Sequence, residues 1–300
     1  MSSARHYDDA VSFRQALEDR LRKRALDKGE DLQRLRQQVA FDRFVMRIQR
    51  DGVNRWILKG GHALELATGS ARATRDIDLT LNASLAGGSD GHVTLQRMLQ
   101  QAASRTADDW FEFQVGEPMM NLDGPLYGGE RFPVRSMLGG RLFVAFHVDV
   151  AVGDVLLEPL RVAMDEDWFG FAGIATSPLT TTSLEQQFAE KLHAYTMPRA
   201  GTRDNSRVKD LVDMVPLLET GSLELEGVAA AVVATFRQRD GHVIPETLPD
   251  PPMSWKKSYA ALAAVCRIDV RIDIAVASIR DYYRRVVTMI SATRPDAETR

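Results

Sequence analysis

Hydrophobic side chains recur at helical spacing in the first fifty residues of the chain. Three- and four-residue intervals separate most of the apolar positions Leu32, Leu35, Val39, Phe41, Val45 and Ile48. Such intervals place side chains on one face of a helix. The pattern predicts two amphipathic helices, over residues 8–27 and 31–50, separated around Gly29 and ended at Gly52.

After residue 55 the pattern changes from helical spacing to short apolar runs and alternation. Alternation is clearest over residues 142–150, where one predicted face carries Leu142, Val144, Phe146 and Val148 and the other carries Phe143, Ala145, His147 and Asp149. A two-residue period is typical of a β-strand. We therefore predict strands at 56–58, 76–82, 110–115, 132–138 and 142–150, with helices at 62–68 and 93–105 between them.

Helical spacing returns after a less regular stretch that runs to Pro178. Ser183 is followed three residues later by Gln186, which is the pattern of a capping box at a helix N-terminus. Further helices are predicted at 183–197, 206–219, 223–239, 254–266 and 268–292. Four prolines between Pro245 and Pro252 predict an extended linker.

The order of these elements indicates the fold class. Helices before and after a strand-rich centre favour an α+β fold with a small mixed sheet, N-terminal helices and a C-terminal helical domain. We expect an N-terminal helical region (1–52), a sheet-containing core (53–180) and a helical domain (181–300).

Composition narrows the class of protein further. Of the 300 residues, 44% are hydrophobic and 26% are charged, which is ordinary for a globular domain in water. No apolar run approaches the ~20 residues of a membrane span, and the polar N-terminus lacks the apolar core of a signal peptide. Cys266 is the only cysteine, so no disulfide forms within the chain, and we expect a cytoplasmic location.

Charge is distributed unevenly, although the net charge is only −3. Residues 1–55 hold 13 basic and 9 acidic side chains, and residues 254–294 hold 8 and 3, so the ends carry +4 and +5 and the remainder −12. Basic ends around an acidic centre fit a metal-binding core flanked by a surface for a polyanion. Basic helices with solvated faces explain the same distribution, and the sequence leaves both interpretations open.

The first candidate site combines a Gly-Gly turn with two carboxylates. Lys59 precedes Gly60-Gly61 at a predicted strand-to-helix turn, where unpaired backbone N–H groups favour an anion. Asp76 and Asp78 are two apart on a strand and share a face, so their oxygens suit Mg²⁺. The turn is neither a P-loop nor a dinucleotide fingerprint. An exposed strand face that carries two acids explains the Asp pair alone.

A third acid lies near the end of an apolar strand. Asp149 is preceded by Phe146, His147 and Val148, and burying a carboxylate there is costly unless it is paired or bound to a metal. A solvent-facing acid on a one-sided sheet is the alternative. His147 shares the predicted face of Asp149 and is interpreted as a neighbour of the site rather than as a ligand.

Four motifs in order resemble one family. They are Trp-Ile-Leu-Lys-Gly-Gly-His-Ala-Leu at 56–64, Thr-Arg-Asp-Ile-Asp-Leu at 74–79, Glu-Lys-Leu-His-Ala-Tyr-Thr at 190–196 and Lys-Asp-Leu-Val-Asp at 209–213. Together they resemble the AbiEii-type toxins of type IV toxin–antitoxin systems, which include the MenT nucleotidyltransferases and belong to the DNA polymerase beta-like nucleotidyltransferase superfamily. The family often has Gly-Ser where this chain has Gly-Gly.

The resemblance implies a nucleotidyltransferase core at 53–180 that transfers a nucleotide with two Mg²⁺ ions. Asp76 and Asp78 would hold Mg²⁺ on the triphosphate of an NTP, and Asp149 would complete the metal site. Lys59, Gly60-Gly61 and Arg75 would contact the nucleotide. Two metal ions stabilise both the attacking and the leaving oxygen of such a reaction.

The resemblance also assigns roles on the later helices. Lys191 would supply a cation for phosphate, and Asp210 would orient Lys191 or the nucleotide. Lys209 and Asp213 would bind the nucleotide on the same helix as Asp210. A surface lysine paired with Gln187 or Tyr195, and an ordinary surface ion pair on the second helix, are the alternatives.

Four functions remain open at this point. The leading hypothesis is an enzyme that adds a nucleotide to RNA, with the tRNA 3′ end implied by the resemblance, and so blocks translation. A small-molecule acceptor, a nucleotide-binding module without turnover and a plain interaction protein are the alternatives. The resemblance implies a cognate antitoxin, and phosphorylation of Thr74, two residues before Asp76, would place negative charge near the metal site.

Overall fold

The structure, a computed structural model, describes residues 6–69, 74–82, 91–122, 128–154, 156–162, 164, 166–198 and 207–293. The chain divides into two compact units. The sheet unit comprises Met1–Leu58, Arg75–Gly153 and Arg161–Thr181. The helical unit comprises Lys59–Thr74, Asp154–Leu160 and Thr182–Arg300. Helices α1 and α2 belong to the sheet unit; the threefold division of the chain stays a prediction.

Three helices accompany the strands of the sheet unit. The helices are α1 (Ala10–Lys28), α2 (Leu32–Ile48) and α4 (Gly91–Ala103). The strands are β1 (Trp56–Lys59), β2 (Asp76–Leu81), β3 (Phe111–Val115), β4 (Met120–Asn121), β5 (Gly129–Leu138), β6 (Arg141–Val152), β7 (Leu160–Val162) and β8 (Leu179–Thr181). The strand order is β3-β5-β6-β2-β1-β8-β7, and β4 pairs with β5. Parallel pairs (β2–β6, β1–β8) and antiparallel pairs (β3–β5, β5–β6) confirm a mixed sheet.

Helix α2 covers one face of this sheet. Asp31 caps its N-terminus through a hydrogen bond from the Arg34 N–H to Oδ1. Phe41 and Phe44 pack on Phe146 of β6 at centroid distances of 5.0 and 5.7 Å. Because side chains alternate along a strand, the residues of β2 and β6 that do not face this core lie on the opposite face.

A tight turn and a β-bulge fix how β5 meets β6. Gly139 and Gly140 both have positive φ (57° and 70°), as a two-residue hairpin turn requires. The pairing shifts between Ser136 and Met137, which leaves Phe143 as an extra residue in β6. The predicted clean alternation is therefore wrong at this end, where Phe143 is buried and Leu142 is 44% exposed.

The short strands escaped prediction. Strands β4, β7 and β8 have two or three residues each and lie in stretches expected to be irregular. At the other edge, α4 side chains satisfy the backbone of β3. Gln100 accepts from the Val115 N–H and donates to the Phe113 carbonyl, and Gln96 donates to the Val115 carbonyl. These bonds close an edge that would otherwise be open for pairing.

The helical unit is built from α3 (Gly60–Thr68), α5 (Leu184–Thr196), α6 (Val208–Glu219), α7 (Leu225–Arg239), α8 (Trp255–Val265) and α9 (Ile272–Thr293). All helices in this list were predicted, but α3 begins two residues earlier and α9 four residues later than expected. Ser183 caps α5 by accepting from the Gln186 N–H. Helix α5 packs on α6 and α7, and a continuous apolar core links them to α8 and α9.

The proline segment between α7 and α8 has no helix or strand, as predicted. Two tyrosines fasten it to the helices. Tyr195 of α5 donates to the Pro249 carbonyl at 2.7 Å, and Tyr283 of α9 donates to the Pro245 carbonyl at 2.5 Å. No helix in the described ranges combines the length and the apolar character that crossing a bilayer requires.

Candidate active site

Strand register brings the three predicted carboxylates together. Strand β2 runs parallel to β6, with Asp76 opposite His147 and Asp78 opposite Asp149. Neighbouring strands lie roughly 4.8 Å apart, so the side chains of opposed residues on one face are close. Ile77 is fully buried on the core face, whereas Asp76, Asp78 and Asp149 are partly exposed. Asp76, Asp78 and Asp149 thus form one group, called the acidic row below.

His147 lies beside the acidic row, as the sequence predicted. Its Nδ1 is 3.3 Å from Oδ1 of Asp76, and its side chain is 40% exposed. The contact is the one expected from the register, because His147 and Asp76 are opposed on neighbouring strands. A partly exposed imidazole at this distance can share a proton with the carboxylate or steady its orientation.

Arg131 of β5 completes the row, and sequence reasoning did not identify it. Its Nε and Nη2 each lie 2.7 Å from an oxygen of Asp149, and Nη2 lies 3.4 Å from Oδ2 of Asp76. The hydrogen bond with Asp149, with the added charges of Asp149, Asp76 and Asp78, raises the pKa of Arg131. The guanidinium therefore stays charged and offsets part of the negative charge of the row.

The signal for Arg131 was weak because it depends on the bulge. A plain hairpin continued from the Leu138–Arg141 pair would place Arg131 opposite Val148, on the core face. The shift at Ser136/Met137 instead places Arg131 opposite Asp149. Period-two reasoning along β5 would have needed this one-residue slip to find the contact.

The acidic row supplies the donors that Mg²⁺ prefers, but a guanidinium lies among them. Carboxylate oxygens at partly exposed positions suit a hard divalent cation. In the part of the chain that the structure describes, no three His, Cys, Asp or Glu side chains are grouped closely enough to hold a metal ion. Since Nη2 of Arg131 contacts both Asp149 and Asp76, a metal ion would compete with Arg131 for the same oxygens.

The Gly-Gly turn begins helix α3 in the helical unit. Gly60 has φ of 69°, a left-handed conformation that L side chains rarely adopt. Lys59 is the N-cap residue, in extended conformation, and its side chain does not cap the helix. Its ammonium forms an ion pair with Asp154. Arg239 extends this network to Asp154 at 4.0 Å.

Lys191 lies in a buried ionic cluster rather than on the surface. Its Nζ is 2.7 Å from Oδ2 of Asp213 and 3.5 Å from Oδ1 of Asp210, both on α6. The Lys191 side chain is 14% exposed and that of Asp213 is 1% exposed. The alternative of an ordinary surface pair is therefore wrong for this cluster. Lys191, Asp210 and Asp213 are the three predicted residues that α5 and α6 bring together.

The alternative partners of Lys191 are engaged elsewhere. Gln187 donates to the Thr182 carbonyl, and the hydroxyl of Tyr195 donates to Pro249. Lys209 precedes Asp210 on α6 and is partly exposed, and Arg75 is exposed just before β2. The roles assigned to these two residues stay predictions.

Comparison with known families decides the classification. Residues 43–284 match the family model described as "Nucleotidyl transferase AbiEii toxin, Type IV TA system". The chain belongs to the AbiEii family. The resemblance stated from the four motifs is confirmed, and the protein is a nucleotidyltransferase of a toxin family. No curated protein matches the sequence.

Solved structures with similar folds include three nucleotide-transferring proteins. MenT4, a nucleotidyltransferase toxin from Mycobacterium tuberculosis H37Rv, is 16% identical, with a TM-score of 0.49 over 93% of this chain and 99% of its own. A putative nucleotidyltransferase from H. pylori is 14% identical, with a TM-score of 0.46 over 89% and 100%. Terminal uridylyl transferase 4 from Trypanosoma brucei, with bound GTP, is 14% identical, with a TM-score of 0.26 over 92% and 96%.

Proposed function

We propose that this AbiEii-family protein transfers a nucleoside monophosphate from an NTP to RNA in a Mg²⁺-dependent reaction. The expected acceptor is the 3′ end of tRNA, and blocked translation is the expected consequence. The observation that carries the proposal is the acidic row, which places Asp76, Asp78 and Asp149 on one face of two adjacent strands. Carboxylates in this arrangement, in a nucleotidyltransferase family, are the natural ligands for the metal of phosphoryl chemistry.

Each member of the row has a role in this proposal. Asp76 and Asp78 would hold Mg²⁺ on the triphosphate, and Asp149 would serve the second metal position. Bound there, Mg²⁺ would supply Lewis acidity at the reacting phosphate. His147 steadies Asp76 through the 3.3 Å contact. The acceptor hydroxyl would lose its proton to a carboxylate of the row, with pyrophosphate as the leaving group.

The nucleotide contacts in the helical unit are proposed from the resemblance. The backbone N–H groups of Gly60 and Gly61 would bind phosphate at the N-terminus of α3. Lys191 would supply a fixed positive charge, and Asp210 and Asp213 hold its ammonium in one position. A cation held this way needs no reorganisation when negative charge develops on phosphate oxygens.

Further nucleotide contacts and a partner protein complete the proposal. Lys59, Lys209 and Arg75 would add positive charge toward phosphate. A type IV toxin family implies a cognate antitoxin, and we place both proteins in the cytoplasm with NTP and tRNA. Thr74, which is partly exposed and precedes β2, is the proposed phosphorylation site for inactivation.

The test uses NTPs labelled at two positions. Purified protein is incubated with Mg²⁺, total RNA and each NTP in turn, labelled at either the α- or the γ-phosphate. We expect α-label in a tRNA-sized band, at the 3′ end, and γ-label only in released pyrophosphate. Label on small molecules instead of RNA would replace the acceptor. Nucleotide binding without pyrophosphate release by the folded protein would contradict catalysis.

A further inference from the structure

One arginine accounts for the geometry of the acidic row as it stands. Arg131 donates two hydrogen bonds of 2.7 Å to the two oxygens of Asp149, and its Nη2 also reaches Asp76. This fork-to-fork arrangement is the strongest form of an arginine–carboxylate pair. Both oxygens of Asp149 are therefore engaged by Arg131.

The backbone holds Arg131 in this place from both sides. The bulge at Phe143 sets the register that opposes Arg131 to Asp149. Two residues earlier in β5, a Cβ on Gly129 would lie 2.4 Å from the carbonyl oxygen of Val150. Glycine thus lets β5 approach β6 closely next to the row, and the position of Arg131 is fixed by strand pairing rather than by its own side chain.

Charge explains why an arginine is needed there. Asp76, Asp78 and Asp149 would repel one another if no cation lay between them. The side chains of Arg131, Asp76 and Asp149 are 30%, 33% and 16% exposed, so solvent screens this repulsion only in part. One guanidinium neutralises one of three charges, and the remaining negative charge still attracts a divalent cation.

We propose that Arg131 is a positioning residue that acts as a built-in counter-cation of the acidic row and competes with the catalytic metal for Asp149 and Asp76. This inference rests on the function proposed above. In the nucleotide-free protein, Arg131 lowers the affinity for the metal alone. When an NTP arrives, its triphosphate offers the guanidinium another anion, and the carboxylates become available to the metal. Metal and nucleotide therefore bind with positive coupling.

Metal binding in the absence of nucleotide tests this directly. Mn²⁺ binding to the full chain is followed by electron paramagnetic resonance, for wild type, Arg131→Gln and the control Arg135→Gln. Arg135 is exposed and lies on the same strand and face, opposite Ala145. We expect Arg131→Gln to bind Mn²⁺ at least about tenfold more tightly than wild type, because a competitor is removed. Arg135→Gln should match wild type.

Two more measurements separate competition from general effects. The gain in Mn²⁺ affinity should disappear in the double variant Arg131→Gln/Asp149→Asn. Adding a non-hydrolysable NTP should tighten Mn²⁺ binding at least tenfold in wild type and much less in Arg131→Gln. Equal tightening in both proteins would contradict the proposed competition.

Arg131→Lys covers the case in which the glutamine variant does not fold. Lysine keeps the charge but cannot form the two parallel bonds, so its Mn²⁺ affinity should rise by a smaller factor, about two- to tenfold. Unchanged or weaker Mn²⁺ binding in both folded variants would overturn the inference. If wild type transfers no nucleotide to any acceptor, the proposed function fails, and the metal affinities judge Arg131 separately.

Discussion

Removing the ammonium of Lys191 should cost the helical unit a large part of its stability. In Lys191→Met, Asp213 keeps its buried position, with 1% of its side chain exposed, but loses the cation at 2.7 Å. Asp210 loses the same partner at 3.5 Å. Breaking a buried pair from one side costs roughly 3–5 kcal/mol, because a charge is left uncompensated. The 14% exposure of Lys191 places the expected loss near the lower end, at about 3 kcal/mol.

Urea denaturation followed by circular dichroism measures this loss. With a slope of roughly 2–3 kcal/mol per molar urea, a loss of about 3 kcal/mol moves the midpoint by about 1–1.5 M. Lys257→Met is the matched control, because Lys257 is exposed on α8. Its midpoint should change by less than about 0.5 kcal/mol equivalent. The double variant Lys191→Met/Asp213→Asn should recover much of the loss, since the uncompensated charge is removed.

The size of the effect decides between two descriptions of the cluster. A loss below about 1 kcal/mol for Lys191→Met would place it among exposed ion pairs and refute the reasoning from burial. Failure of Asp213→Asn to rescue Lys191→Met would refute the role of Asp213 as the uncompensated charge.

Two further predictions concern pH and phosphorylation. Burial, followed by the charges of Arg239 and His242, lowers the pKa of His193 to about 4 from an ordinary value of 6.5. The unfolded chain therefore binds the extra proton first as pH falls below about 6.5, so stability is constant above that pH and decreases from there toward pH 4. Urea midpoints at pH 7 and 5 should differ by about 2 kcal/mol, and His193→Phe should reduce that difference; a flat wild-type profile would contradict the prediction. For phosphorylation, Thr74→Glu should lower nucleotide transfer at least about tenfold while Thr74→Val keeps most of it, and a fully active Thr74→Glu protein would exclude inactivation by charge.

Long elements with clear caps could be predicted from the sequence. Helix α5 was expected over 183–197 and spans Leu184–Thr196, because Ser183 supplies the cap and the apolar stripe is regular. The parallel placement of Asp78 beside Asp149 also agrees with the expected convergence of the three acids. In both cases a local pattern carried enough information, since spacing alone decides which face a side chain takes.

Features that depend on distant pairing could not be predicted in the same way. Strands of two or three residues, such as β4 and β8, have no measurable period and exist only because longer strands lie beside them. The contact of Arg131 with Asp149 depends on a one-residue bulge. The burial of Lys191 depends on α6 packing against α5, with Asp213 located 22 residues further along the chain.

The central claim is that the acidic row carries out nucleotide transfer, and Asp149→Asn tests it most directly. The substitution keeps the size of the side chain and removes its charge. Glu112→Gln, an exposed acid on β3 of the same sheet, is the matched control. In a single-turnover assay with α-labelled NTP, RNA and Mg²⁺, we predict a loss on the order of a thousandfold for Asp149→Asn and wild-type transfer for Glu112→Gln. Transfer by folded Asp149→Asn within tenfold of wild type would contradict the account.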